Sequence, residues 1–150
     1  MLHLPKKMLY ALEAVVDIAF NARPDPVQSK EITQRQDIPQ RYLEQVMQQL
    51  VHAGILKGVR GPRGGYRLAR ERRRITAGDV IRGINAAEDS SDKQIFSSDI
   101  GKQVVGPLWE EAQSAMLAQL DSVTLEDLCR RANANCAPEK PPKISGSFDI

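Results

Sequence analysis

One stretch narrows the possible folds more than any other: Arg41 to Leu68, RYLEQVMQQLVHAGILKGVRGPRGGYRL. Its apolar residues Leu43, Val46, Met47 and Leu50 recur at helical spacing and form one face of a helix. Gly54 supplies a stop, because glycine enters the left-handed conformation without strain. Ile55, Leu56 and Val59 suggest a strand, and Tyr66 to Ala69 a second one. Between them, Arg60-Gly61-Pro62-Arg63-Gly64-Gly65 is too glycine-rich for a core and carries two arginines at its tip. A helix followed by a basic β-hairpin is the outline of a winged helix, a form suited to gripping DNA.

The flanking sequence completes that outline. Lys6 to Phe20 reads as a first helix with Met8, Leu9, Leu12, Val16 and Ala19 on one face. Lys6 and Lys7 sit at its start, where the helix dipole disfavours cations; phosphate contact and simple solvation both account for them. Asn21 to Val27 is a loop broken twice by proline. Ser29 is a candidate N-cap for a short helix, Lys30 to Gln36. Asp37-Ile38 is the turn, and Pro39 suits the first turn of the next helix. Two helices so joined make a helix-turn-helix whose second helix is the candidate reader. Its polar residues Gln40, Arg41, Glu44 and Gln45 are types that match base edges. Alone, they fit an amphipathic helix with a solvated face equally well; the arginine-bearing hairpin tips the balance. In that hairpin Arg60 and Arg63 suit a minor groove or phosphates, and Gly61, Gly64 and Gly65 permit close backbone approach. Arg67, Arg70, Arg72, Arg73 and Arg74 continue the basic character.

Further along, Thr76 and Asp79 stand at capping-box spacing and open a fourth helix to Asn85, with Val80, Ile81 and Ile84 buried. Ala86 to Gln103 shows no sustained periodicity and reads as a mobile linker. A fifth helix runs from Leu108, or from as early as Val104, to Leu120. Leu108, Ala112, Ala115, Met116 and Leu120 give it an apolar stripe, with Trp109 beside it. Thr124 and Asp127 open a last short helix, Leu125 to Ala134. A head of about 85 residues, already closed, has little room to bury the fifth helix. A twofold copy of itself is the simplest partner, and packing back on its own head is the alternative. The expected fold is therefore mainly α with a small β-hairpin. A winged helix-turn-helix domain spans 1–85, a linker loop 86–103, a dimerisation helix and short C-terminal helix 104–136, and a disordered tail 137–150.

Charge is uneven along the chain. Residues 1–88 hold 15 Lys/Arg against 9 Asp/Glu, a net +6, whereas residues 89–150 hold 6 against 10, a net −4. A basic head on an acidic rear fits a nucleic-acid-binding module joined to a segment with another task. No run of about 18 apolar residues suggests a membrane span, and the N-terminus lacks the pattern of a secretory signal. A cytoplasmic location is expected. The GxxxxGK[ST] phosphate-binding pattern is absent. No nucleophile–base pair or metal-ligand cluster stands out, so an enzyme is not expected. A winged helix serving only as a protein-interaction module, without DNA binding, is the nearest rival; its wing need not be basic.

YLEQ followed by VRGPRGGYRLA, after a helix ending VVDIAF, resembles the Rrf-type, IscR-like family of bacterial winged helix-turn-helix transcription regulators. The likeness runs from Leu4 to Asn85 and resumes around Leu108-Trp109-Glu110 and Ser122-Val123-Thr124-Leu125. It implies a homodimeric repressor or activator that binds double-stranded DNA at an inverted repeat. By position it implies Arg41, Glu44 and Gln45 in the major groove and Arg60 in the minor groove. Tyr42 and Leu43 correspond to packing residues, and Tyr66 to a hairpin anchor. Iron–sulfur members of the family carry three cysteines between the fourth and fifth helices. Here Ala86 to Leu108 has none, and such clusters need thiolates, so no cofactor is expected.

The signal is then open. The chain has two cysteines, Cys129 and Cys136. Cys129 stands at helical spacing from Leu125 and Ala132, as a small buried hydrophobe would. Arg130 and Arg131 are neighbours that can activate a thiolate, and Cys136 is a candidate redox partner within or between chains. A metal site on these cysteines is disfavoured, because neither His3 nor His52 has ligand spacing to them. An unknown effector protein or small ligand is the remaining class.

Overall fold

Helix α1 (Lys6–Phe20) is the element on which the others assemble. In the computed structural model, which describes residues 5–88 and 95–136, it packs against α3 (Gln40–His52), α4 (Ala77–Glu88), α6 (Leu125–Asn135) and strand β2 (Gly65–Leu68). Contact on so many sides changes which residues it buries. Met8, Ala11, Ala14, Val15, Ile18 and Ala19 are buried, whereas Leu9 is exposed and Leu12 and Val16 are half-buried. The expected stripe through Leu9, Leu12 and Val16 is thus corrected. The small Ala11 and Ala14 admit neighbours closely, and the larger side chains are displaced to the rim.

Helix α2 (Ser29–Arg35) begins one residue earlier than expected, so Ser29 is its first residue rather than its cap. The cap position falls to Gln28, whose N–H donates to Glu31 Oε2 at 2.9 Å. Pro39 likewise lies just outside α3, at its N-cap. Leu43, Val46, Met47 and Leu50 are all fully buried, as their spacing predicts. The helix ends in a Schellman motif: Gly54, at φ +78°, donates to Val51 at 3.1 Å, and Ile55 N–H donates to Leu50 at 3.0 Å. These nested bonds need a left-handed residue at Gly54. Strand β1 (Leu56–Val59) then pairs antiparallel with β2 in the register Leu56↔Leu68 to Val59↔Gly65.

A 3-10 turn (Arg72–Arg74) leads into α4. Thr76 and Asp79 exchange two bonds of 3.0 Å, the reciprocal cap expected from their spacing. The cap of α6 is its twin, with Thr124 and Asp127 at 3.0 and 3.1 Å. The two caps lie side by side: Thr76 and Thr124 form an isolated antiparallel bridge. Arg82 joins α4 to the end of α5 (Gly106–Asp121) through two bonds to Asp121, of 2.5 and 2.7 Å. Regular structure enters the expected linker from both ends. Residues 86–88 belong to α4, and a π-helical turn (Gly101–Val105) precedes α5. Residues 89–94, and the expected disordered tail 137–150, lie outside the described residues. No helix among the described residues is long and apolar enough to cross a membrane.

Candidate nucleic-acid interface

With its apolar face buried, α3 turns Gln40, Arg41, Glu44 and Gln45 to solvent. Gln40 Nε2 donates to Glu44 Oε1 at 3.1 Å, so these two side chains restrain one another. Arg41 is exposed and makes no ion pair among the described residues.

The wing is built on a third piece of extended chain. Val27 and Tyr66 exchange backbone bonds of 3.0 and 2.7 Å, so the hairpin is joined to the residue leading into α2. Tyr66 is half-buried at that seam, which fits its expected role as an anchor. Each tip glycine has a folding reason. Gly61 takes φ +117°. A Cβ on Gly64 would stand 2.4 Å from the Val59 carbonyl oxygen, and one on Gly65 would stand 2.4 Å from that of Val27. Between wing and α2 lies an open cleft of about 640 Å³ lined by Gln28, Ser29, Lys30, Arg60, Gly64 and Tyr66, among others. Ser29 is thereby brought under the wing, and so are Gln28 and Lys30. Sequence reasoning missed those two, since only the Val27–Tyr66 pairing places them.

The arginines divide into two sets. Arg67 donates to the Pro24 carbonyl. Arg70 pairs with Asp79 at 3.9 Å, Arg72 with Glu126 at 3.3 Å and Arg73 with Glu71 at 2.6 Å. The run expected to extend the basic surface is instead tied largely to the protein's own carboxylates and carbonyls. Arg60 and Arg63, like Arg41, are exposed without an ion pair among the described residues. Lys6 is exposed at the start of α1 and Lys7 half-buried. One turn on from Lys6, Tyr10 packs against Tyr42, ring centroids 5.8 Å apart, which sets this end of α1 beside the start of α3.

Sequence reasoning also missed the fastening of the helix-turn-helix. Asp17, on α1, is 2 % exposed. It accepts from Arg35 Nε at 2.9 Å, from Arg35 Nη2 at 2.8 Å and from Gln36 Nε2 at 3.0 Å. This ties the end of α2 to α1. The available signal was an acid at a core position of an apolar helix.

The cysteines are not brought together. Cys129 is buried and Cys136 exposed, and both are free thiols. Seven residues of helical rise separate them by about 10 Å, beyond disulfide reach. Burial pushes the Cys129 thiol up, and the nearby Arg72 offsets only part of that. Of the expected activators, Arg130 points elsewhere, pairing with Glu126 at 3.9 Å and with Asp127 at 3.5 Å.

A helix-turn-helix followed by a wing with exposed arginines at its tip defines a winged helix-turn-helix DNA-binding protein. Comparison with known proteins agrees. The chain belongs to the Rrf2 family, described as an iron-dependent transcriptional regulator, whose model matches residues 4–131. It is a DNA-binding transcriptional regulator of that family and not an enzyme. It is 33% identical over 150 residues to the HTH-type transcriptional regulator IscR of Photobacterium profundum, covering 99% of this chain and 83% of the relative. Identity to IscR of Salmonella agona is 33% over 160 residues, covering 99% and 98%. Among solved structures, IscR of T. potens superposes with a TM-score of 0.70 at 36% identity, covering 91% of this chain and 93% of that one. CymR, the global cysteine regulator of B. subtilis, gives 0.67 at 34%, covering 87% and 98%.

The family description raises the question of iron. Residues 95–108 offer serines, Asp99 and apolar side chains but no thiol. Among the described residues no group of three or more His, Cys, Asp and Glu is placed to hold a metal ion. A cluster needs thiolate ligands, and these residues do not fit one.

Proposed function

We propose that the chain acts as a homodimer that reads an inverted-repeat operator without an iron–sulfur cluster. Arg41, Glu44 and Gln45 of α3 meet base edges in the major groove, with Gln40 restraining Glu44. Arg60 enters the minor groove. Arg63, Ser29, Lys6 and Lys7 hold phosphates, and Gly61, Gly64 and Gly65 let the wing backbone lie close to the duplex. The observation that carries this reading is the division of the arginines. Arg67, Arg70, Arg72 and Arg73 at the wing base have internal partners, while Arg41, Arg60 and Arg63 are exposed with no ion pair among the described residues, Arg60 at the cleft. The apolar row on α5, with no buried residue, supplies the contact between copies and sets two heads about one DNA turn apart. A thiol response, if the chain has one, runs through the exposed Cys136 rather than a Cys129–Cys136 bond; an effector protein or small ligand is the other class of signal.

Gel shift on an inverted-repeat operator over a range of salt tests this. Binding should fall steeply with salt, with a log–log slope of about −0.9 for each phosphate neutralised. Arg60→Ala should weaken binding by about 1–3 kcal/mol, and unchanged affinity would remove the wing from the mechanism. Glu44→Ala should change sequence preference more than overall affinity.

A further inference from the structure

The N-terminal end of α3 exposes two charged side chains of opposite sign, Arg41 and Glu44. Residues at that spacing are neighbours on a helix surface, and a guanidinium and a carboxylate placed so can close into an ion pair. Arg41 has added reason to do so, because the helix dipole opposes a cation near the N-terminus. On α6 the same spacing, in the opposite order, does close: Asp127 and Arg130 pair at 3.5 Å. On α3 it does not, and among the described residues Arg41 makes no ion pair with Glu44 or with any other acid.

Gln40 engages the carboxylate first. Its Nε2 donates to Glu44 Oε1 at 3.1 Å, which draws Glu44 back along its own row of the helix and away from Arg41. Glu44 Oε2 accepts no hydrogen bond among the described residues. The helix therefore shows a free guanidinium fork beside a free carboxylate oxygen. A guanidinium fork matches guanine O6 and N7, and a carboxylate oxygen accepts from the cytosine amino group. An ion pair between the two would hide both, and would have to break before either met a base.

We infer that Gln40 is a positioning residue. By holding Glu44 it keeps Arg41 and Glu44 from neutralising one another, and so leaves a guanine and a cytosine readable in each half-site. The inference rests on the proposal that α3 meets base edges in the major groove. Gln40 acts through Glu44 rather than on a base, so its removal matters only while Glu44 is present. An amide suits the task, since it takes up one carboxylate oxygen without adding a charge that would compete with Arg41.

A double-mutant cycle read as base preference tests this. The probe is the duplex that the unmodified protein selects from a random-sequence pool, with each position then substituted in turn. The guanine read by Arg41 is the position whose preference Arg41→Ala removes. Gln40→Ala should lower the preference for that guanine about three- to fivefold, the weight of an exposed ion pair, with the thermal melt unchanged. Gln40→Ala/Glu44→Ala should recover it, because no carboxylate is left to occupy Arg41. Gln40→Lys, which still offers Glu44 a donor, should keep it. An unchanged preference in Gln40→Ala overturns the inference. So does a preference that stays lost in the double variant, which would make Gln40 itself a base contact, and so does a loss in Gln40→Lys equal to that in Gln40→Ala. A protein that selects no sequence, or an Arg41→Ala that removes no base preference, overturns the reading of α3 as well.

Discussion

Asp17 shows how much one side chain can carry. Its carboxylate is fully buried, and Arg35 and Gln36 satisfy it. Asp17→Asn should cost about 3 kcal/mol, because it removes the buried carboxylate that a largely buried guanidinium is bonded to. Replacing the pair together, Asp17→Leu with Arg35→Met, should cost much less in a thermal melt. Glu31 is a milder case with a clear pH signature. The Arg23 guanidinium, aided by the Gln28 N–H, holds its carboxyl below the ordinary value of 4.5. A depressed carboxylate contributes stability above its unfolded value that is lost as pH falls through the folded one. Glu31→Gln should therefore cost under about 1 kcal/mol at pH 7. Melts repeated at falling pH should show that gap closing below 4.5.

Among the elements, the wing and the end of α3 make contrasting use of glycine. Gly54 has open space where a Cβ would go but holds φ +78°. Gly54→Ala should cost about 1–2 kcal/mol of stability and leave operator affinity unchanged wherever the protein is folded. Gly65 has an ordinary φ but lies against the Val27 carbonyl. Gly65→Ala should push β2 off Val27 and open the cleft under the wing, lowering operator affinity at least about tenfold while α3 stays formed. Paired melts and gel shifts on the two variants separate these effects. The α3 face and the Gly54 stop were legible in the sequence because each depends only on neighbours a turn away. The N-cap of α2 was misplaced by one residue because Glu31 reaches back to accept from the Gln28 N–H, and the Gln28 carbonyl accepts from the Glu31 and Ile32 N–H groups.

Across the whole molecule, charge and apolar surface separate. The net +6 of residues 1–88 and −4 of residues 89–150 leave the reading head cationic, while Leu108, Trp109 and Met116 of α5 stay exposed. Trp109→Asp should yield a monomer by sedimentation with unchanged helical content. Its affinity for an inverted repeat should drop to that for a single half-site; a dimer that persists would place the subunit contact elsewhere. The sequence by itself determined the element types, the buried face of α3, both Thr–Asp caps and the basic wing, since local spacing and backbone chemistry decide each of them. Only the tertiary structure decided which way α1 faces, that Asp17 fastens the helix-turn-helix, which arginines find internal partners and that α6 returns to α1. Those outcomes depend on side chains meeting across dozens of residues of chain, and no periodicity along the sequence encodes such a meeting.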